Sequence, residues 1–217
     1  MISLTEENYL KAMYNLSLKT GEISVNDLSK ALNIKMPTVT SMVKKLATKK
    51  LVHYQSYKPL ILTEEGKRKA LLIIRKHRLT EMFLVEKMGF GWEEVHEIAE
   101  QIEHIHSPKF FEKMDEMLDF PSVDPHGSPI PDVLGNIQLP NYLPLSSFKK
   151  GDRVQLVAVT HSSDDFLKYL NSKNLQLESV LDILQVEDFD QSMLVQLANT
   201  NLSLSSKVTD RLLVKLC

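Results

Sequence analysis

Cysteine is nearly absent from this chain of 217 residues: the single one, Cys217, is also the last residue. An internal disulfide and a cysteine-based zinc site are both excluded. Long apolar runs are missing too. Runs such as Leu71-Leu72-Ile73-Ile74 and Met82-Phe83-Leu84-Val85 fall far short of the ~20 residues that a membrane helix needs. The sequence opens on the acidic Met1-Ile2-Ser3-Leu4-Thr5-Glu6-Glu7 rather than a charged-then-apolar leader, which predicts a cytoplasmic protein with no membrane partner. The last shortage is local. From Leu28 to Thr63 there is no acidic residue, yet seven lysines occur: Lys30, Lys35, Lys44, Lys45, Lys49, Lys50 and Lys58.

With 43% apolar and 25% charged residues, the composition is that of an ordinary globular chain with a core to bury. A net charge of −2 conceals an asymmetry. Residues 1–75 hold 13 basic against 6 acidic side chains, a balance of +7, and residues 76–217 hold 13 against 22, a balance of −9. A basic third on an acidic remainder suits a polyanion at one end and cations at the other, although a solvated face would give the same charge run.

The basic third has a recognisable order. Thr5 reads as an N-cap with Glu6 and Glu7 in the first turn, and Tyr9, Leu10, Met13 and Leu16 follow at helical spacing, predicting a helix over 5–18. Ser24 caps a second, short helix bearing Leu28, Ala31 and Leu32. After the turn Asn33-Ile34-Lys35-Met36, Pro37 suits the first position of a third helix, where its missing N–H costs nothing. That helix buries Val39, Met42, Val43 and Leu46 and presents Thr38, Thr40, Ser41, Lys44 and Lys45. Leu51–Gln55 and Pro59–Leu62, separated by Ser56-Tyr57-Lys58, form a hairpin. Helix, helix–turn–helix and hairpin is the order of a winged helix-turn-helix, whose second motif helix enters the DNA major groove. Winged helices also bind proteins; the acid-free stretch favours DNA. Lys35, Pro37, Thr38, Thr40, Ser41, Lys44, Lys45 and Lys58 are the candidate DNA contacts, hydroxyls for bases or phosphates and lysines for phosphates.

The acidic remainder begins with a helix capped by Thr63 and ended at Gly89, then helices over about 93–106 and 108–119. Leu84, Val85, Met88, Ile98, Ile102, Phe110, Phe111, Met114, Met117 and Leu118 are more apolar surface than a small monomer hides, which predicts that part of it is a homodimer interface. His77 and Glu81 are spaced i,i+4. On one continuous helix His96, Glu100, Glu103 and His104 would fall within an arc of about 100°. Imidazole with carboxylate suits a divalent transition metal, and clustered carboxylates without a cation repel one another; a solvated acidic face is the alternative. Asp124 and His126, in a proline-rich stretch over 120–144, add two potential ligands. In residues 148–217, Lys150-Gly151-Asp152 leads into the alternating Val154, Leu156 and Val157-Ala158-Val159, short strands follow at 180–186, 193–197 and 212–216, and a helix lies at 164–170, predicting a small SH3-like β-barrel. There His161 with Asp164 and Asp165 reads as a surface turn, a ligand lent to the middle domain being the alternative.

Together these features resemble the diphtheria-toxin-repressor and manganese-transport-regulator family, in its three-domain form with an SH3-like (FeoA-like) module. The resemblance is carried by Thr5-Glu6-Glu7-Asn8-Tyr9-Leu10, Met36-Pro37-Thr38-Val39-Thr40, Lys76-His77-Arg78-Leu79-Thr80-Glu81, Val95-His96-Glu97 with Glu103-His104, and Pro125-His126-Gly127-Ser128-Pro129-Ile130-Pro131. It implies a mostly α fold with small β parts: a winged helix-turn-helix over 1–73, a helical metal-binding and dimerisation domain over 74–145, and an SH3-like β-barrel over 146–217. It implies a DNA-binding repressor rather than an enzyme, with two neighbouring metal sites. One takes position 8 with Glu100, Glu103 and His104. The other takes His77, Glu81 and His96, or Glu81 with Asp124 and His126 as in streptococcal-type manganese regulators, completed by a residue near Ser162, Asp164 or Asp165. Asn8 stands where relatives show Asp or Met, and Glu100 and Asp124 stand where some show Cys. Hard oxygen in place of sulfur points to Mn²⁺, with Fe²⁺ as the alternative. Metal would bridge the first helix to the dimerisation helices and set two winged heads at the spacing of successive major grooves. A metalloenzyme and a winged-helix sensor of a small organic ligand are the rival classes; the first leaves the basic head unexplained and the second predicts no metal response.

Overall fold

The computed structural model describes residues 2–20, 22–160 and 163–217. The fold is mostly α with small β parts, and the backbone gathers into two compact units that interleave along the sequence. One contains the chain up to Thr80 with Ala99–Phe120 and Ile130–Gln138; the other contains Glu81–Ile98, Pro121–Pro129 and Leu139–Cys217.

In the first unit the winged helix-turn-helix stands as expected. Helix α1 (Leu4–Thr20) starts one residue before the expected Thr5 cap. Ser3 and Glu6 form a capping box instead: the Glu6 amide donates to Ser3 Oγ and the Ser3 amide donates to Glu6 Oε2 at 2.7 Å. Helix α2 (Val25–Leu32) has its predicted cap, the Asp27 amide donating to Ser24 Oγ, and ends on Asn33 in the left-handed region. Helix α3 (Met36–Thr48) carries Pro37 in its first turn and buries Val39, Val43 and Leu46, with Met42 only half-buried. Strands β1 (Val52–His53) and β2 (Ile61–Leu62) pair antiparallel, and the Leu60 amide reaches back to the Ile23 carbonyl. Tyr9, Leu10, Met13, Leu28, Val43, Leu46, Leu60, Ala70 and Ile74 make a shared core, so α1 and the head pack as one body.

Helix α4 (Glu64–Met88) begins on Thr63, whose hydroxyl accepts from the Gly66 amide, and stops at Gly89, where φ is +75°. Helix α5 (His96–Ile102) is much shorter than expected. The segment before it is a turn in which the Glu94 amide donates to the Gly91 carbonyl, and after Ile102 the chain turns again, so Glu103 and His104 leave the helix. Helix α6 (Pro108–Met117) lies in the first unit. Leu84, Phe111 and Met114 of the expected dimer surface are buried within their own chain, while Met88, Phe110 and Met117 stay exposed.

The second unit holds the SH3-like module, a six-stranded sheet in the order β3-β8-β4-β5-β6-β7. The strands are β3 (Leu143–Pro144), β4 (Arg153–Val159), β5 (Val180–Val186), β6 (Met193–Leu197), β7 (Thr200–Leu204) and β8 (Leu212–Leu216). Helices α7 (Asp164–Ser172) and α8 (Ser206–Thr209) join them. Leu156, Leu167, Leu170, Leu181, Val195 and Leu212 fill the core. The expectations did not include β3, β7 or α8. His161 and Ser162 lie outside the described residues. Among the described residues no helix is long and apolar enough to cross a membrane.

Candidate metal centre

Helix α4 supplies one ligand-type residue to each unit. His77 belongs to the first and Glu81, one turn later, to the second, so the sequence-expected trio of His77, Glu81 and His96 and the expected arc of His96 to His104 each draw residues from both units.

In the second unit Glu81, Asp124 and His126 are all buried, and each offers a ligand atom within 4.8 Å of the others'. His126 Nδ1 faces Glu81 Oε2 at 3.7 Å and Asp124 Oδ1 at 4.0 Å. Its other nitrogen, Nε2, donates to the Trp92 carbonyl at 2.9 Å. A carbonyl only accepts, so Nε2 carries hydrogen and Nδ1 is the atom presented to the carboxylates, which is how a second partner fixes a metal-ligating imidazole. His96 sits half in solvent with Nδ1 3.2 Å from Glu81 Oε1. Burial works to lower the pKa of His126, but the hydrogen bond and charge of Glu81, the charge of Asp124 and the Trp92 carbonyl raise it above the ordinary value.

The loop that delivers His126 is tightly built. Asp124 Oδ1 accepts the backbone amides of His126 and Ser128 at 2.8 and 2.9 Å, and Val123 bridges to Pro129. The Val159 amide of β4 donates to the His126 carbonyl. Gly127 has φ +83°, and a Cβ there would lie 2.2 Å from the Val157 carbonyl oxygen; glycine is required. The Trp92 ring stacks on the His126 ring at 5.9 Å, its Nε1 donates to Asn171 Oδ1, and Asn171 Nδ2 donates to Glu93. The SH3-like module thus braces the ligand loop through β4 and α7. Sequence reasoning did not find Trp92 or Asn171: the Trp92 contribution is a backbone carbonyl, which no side-chain pattern announces.

In the first unit the expected ligands Glu103 and His104 meet α1. Glu103 is fully buried; Oε2 accepts from His77 Nδ1 at 2.5 Å and Oε1 accepts from Lys11 Nζ at 2.6 Å. Lys11 also reaches Glu100 at 3.5 Å. Burial opposes ionisation of Glu103, yet His77 and Lys11 hold its carboxyl below the usual range. His104 Nδ1 meets Glu7 Oε2 at 2.6 Å. The α1 carboxylate at His104 is therefore Glu7, which sequence reasoning assigned only to the helix dipole, and Asn8 beside it is half-buried.

The candidate DNA contacts Lys35, Pro37, Thr38, Ser41, Lys44, Lys45 and Lys58 are all exposed on α3 and the hairpin turn. Thr40 is half-buried and its hydroxyl donates to the Met36 carbonyl. Lys45 and Lys49 lie 3.2 and 2.7 Å from the buried Glu6 Oε1, so α1 contacts α3 one residue from its contact with His104.

Three family models match in succession: "Iron dependent repressor, N-terminal DNA binding domain" over residues 1–60, "Iron dependent repressor, metal binding and dimerisation domain" over 63–132, and "FeoA domain" over 143–216. Among solved structures, the manganese-activated repressor ScaR with bound Cd²⁺ is 31% identical, with a TM-score of 0.81, over 97% of this chain and 98% of that one. The chain belongs to the iron-dependent repressor family. This family is one of DNA-binding, divalent-metal-dependent repressors rather than enzymes. Other members are similar over different spans. A manganese-dependent transcriptional repressor in complex with manganese is 29% identical with a TM-score of 0.88, over 98% of this chain and all of that one. The iron-dependent repressor IdeR of Mycobacterium tuberculosis is 33% identical over 130 residues, 60% of this chain and 56% of its own length. The diphtheria toxin repressor of Corynebacterium glutamicum is 29% identical over 192 residues, 83% of each. This chain therefore aligns with little more than half the length of the mycobacterial family members.

Proposed function

We propose that this chain is a transcriptional repressor that binds operator DNA as a homodimer when it holds Mn²⁺, and that Glu81, Asp124 and His126 hold the ion. The observation that carries the reading is the orientation of His126, its Nε2 tied to a carbonyl and its Nδ1 presented to two buried carboxylates. Residues present and group fit: two hard oxygens and an imidazole suit manganese, and no cysteine joins the group of Glu81, Asp124 and His126 among the described residues. Fe²⁺ accepts the same donors, and the relatives named for iron favour it as the second reading. Residues 1–73 read DNA, 74–145 bind metal and pair the subunits, and 146–217 brace the ligand loop. The exposed Phe110, Met117 and Phe120 are the apolar surface offered to a second subunit.

A divalent ion supplies positive charge that ties α4 to the 124–128 loop. The chain does the rest. Helix α4 is unbroken from Glu64 to Met88, so fixing Glu81 fixes the helix that also carries His77. His77 holds Glu103; Glu103 and His104 hold α1 through Lys11 and Glu7; Glu6 of α1 holds Lys45 and Lys49 of the reading helix. Through this chain of contacts, occupancy of Glu81, Asp124 and His126 would shift the population of heads set for DNA, with a coupling typically about 1–3 kcal/mol. Fluorescence anisotropy on the native promoter DNA at fixed salt, in chelator and then with Mn²⁺, anaerobic Fe²⁺ and Zn²⁺ in turn, tests it. Metal-dependent binding is expected, with Mn²⁺ effective at the lowest free concentration; equal binding in chelator and in every metal refutes it.

A further inference from the structure

A cluster of carboxylates and histidines normally awaits a cation. In the first unit that cation is already present, and it is part of the chain. Lys11 stands one turn after Glu7 on α1, so both project from one face toward the segment over 99–104. Its side chain is 15% exposed and Glu103 is 0% exposed. Every oxygen of Glu103 is engaged, Oε1 by Lys11 and Oε2 by His77, and Glu100, the one half-exposed carboxylate of the group, turns to the same ammonium. His104 has Nδ1 on Glu7 and Nε2 3.5 Å from Glu103, so both ring nitrogens face carboxylate oxygens.

We propose that Lys11 is a resident counter-cation that keeps Glu100, Glu103 and His104 from taking a metal ion, leaving this protein with one metal site per chain. A divalent ion on Glu103 must displace an ammonium that is nearly buried and tethered through its own helix, so that its effective concentration is of millimolar order or higher. Free transition metal competes from solution, and any ion that entered beside a retained Lys11 would meet like charge at contact distance. The lysine does the mechanical part of a metal's work, joining α1 to Glu103 in metal-free and metal-loaded protein alike. The single-ion stoichiometry rests on the function proposed above; the exclusion by Lys11 does not.

Native mass spectrometry of the full chain titrated with Mn²⁺, and with Cd²⁺ as a tighter probe, tests both parts. Wild type is expected to take one ion per chain and Glu81→Gln with His126→Ala, which removes the carboxylate common to both candidate ligand sets, none. Lys11→Met is expected to gain one ion in either background, and Lys11→Arg, which keeps the charge, none. An ion retained by the Glu81→Gln, His126→Ala variant with Lys11 intact overturns the proposal, and needs no change at Lys11 that could disturb folding. A Lys11→Met protein of native circular dichroism that gains no ion overturns it as well. Wild type that takes no ion refutes the function proposed above, while the gain by Lys11→Met still decides the role of the lysine.

Discussion

Gly127→Ala is the substitution whose effect can be worked out most fully from the ligand loop. Two costs arise. A side chain at φ +83° is strained by about 1–2 kcal/mol. The new Cβ would also lie 2.2 Å from the Val157 oxygen and 2.6 Å from Ala158 Cα, both backbone atoms of β4, so the loop must withdraw from the sheet. Withdrawal breaks the Val159 amide bond to the His126 carbonyl and misaligns Nε2 on Trp92, at about 1 kcal/mol for each bond lost. The native loop is thus destabilised by about 2–4 kcal/mol, and because metal binding must restore it, affinity falls by about 30- to 700-fold at 1.4 kcal/mol per tenfold. Isothermal titration with Mn²⁺ measures this directly. Gly151→Ala is the control: φ there is +92° with nothing within 4 Å of the added carbon, so it carries the strain without the clash and should bind Mn²⁺ as wild type does. Mn²⁺ affinity of Gly127→Ala within about threefold of wild type would refute the argument that β4 sets the position of His126.

Three further outcomes are expected. Glu6 has its carboxyl held at about 2, below the ordinary 4.5, because hydrogen bonds from Lys49, Ser3 and Lys45 outweigh the effect of burial. Its folded-state pKa is depressed, so its contribution is full above about pH 4.5 and lost as pH falls from there toward 2; Glu6→Gln should flatten that part of the acid-unfolding curve, measured by circular dichroism. Lys44→Ala and Lys58→Ala, both exposed, should each weaken binding evenly across DNA sequences and reduce the slope of log K against log salt by about 1, whereas Thr38→Ala and Ser41→Ala should relax sequence preference. Removing Mn²⁺ from protein held at 100 times its dissociation constant should cost about 2.7 kcal/mol of stability and lower Tm by several degrees in calorimetry; a Tm indifferent to chelator would contradict a metal site among Glu81, Asp124 and His126.

Much of the head was legible because local chemistry decides it. Ser24, Pro37, Thr63 and Gly89 punctuate helices by rules that need no tertiary partner; the structure places Ser24, Thr63 and Gly89 where those rules put them and Pro37 one residue further into α3, after Met36. The start of α1 was missed although its signal was local: Ser3 and Glu6 are spaced as a capping box, and Thr5 lies two residues inside it. The end of α5 was missed for a different reason. No glycine or proline stands between Gly91 and Pro108, so periodicity ran on through Glu103 and His104, whose partners Lys11, His77 and Glu7 lie 92, 26 and 97 residues away. Strand β7 was missed because its two buried leucines, Leu202 and Leu204, give an alternation too short to distinguish from a loop. Residue types thus announced the candidate ligands, while their assignment to two units required the packing.

The stacking of Trp92 on His126 has a practical consequence. Trp92 is the sole tryptophan of the chain and its ring centroid lies 5.9 Å from that of His126. Its fluorescence therefore comes from one place. A paramagnetic ion bound by His126 would sit close enough to quench that emission, so the unlabelled protein is its own optical gauge of occupancy at this centre, readable in a cuvette alongside DNA binding.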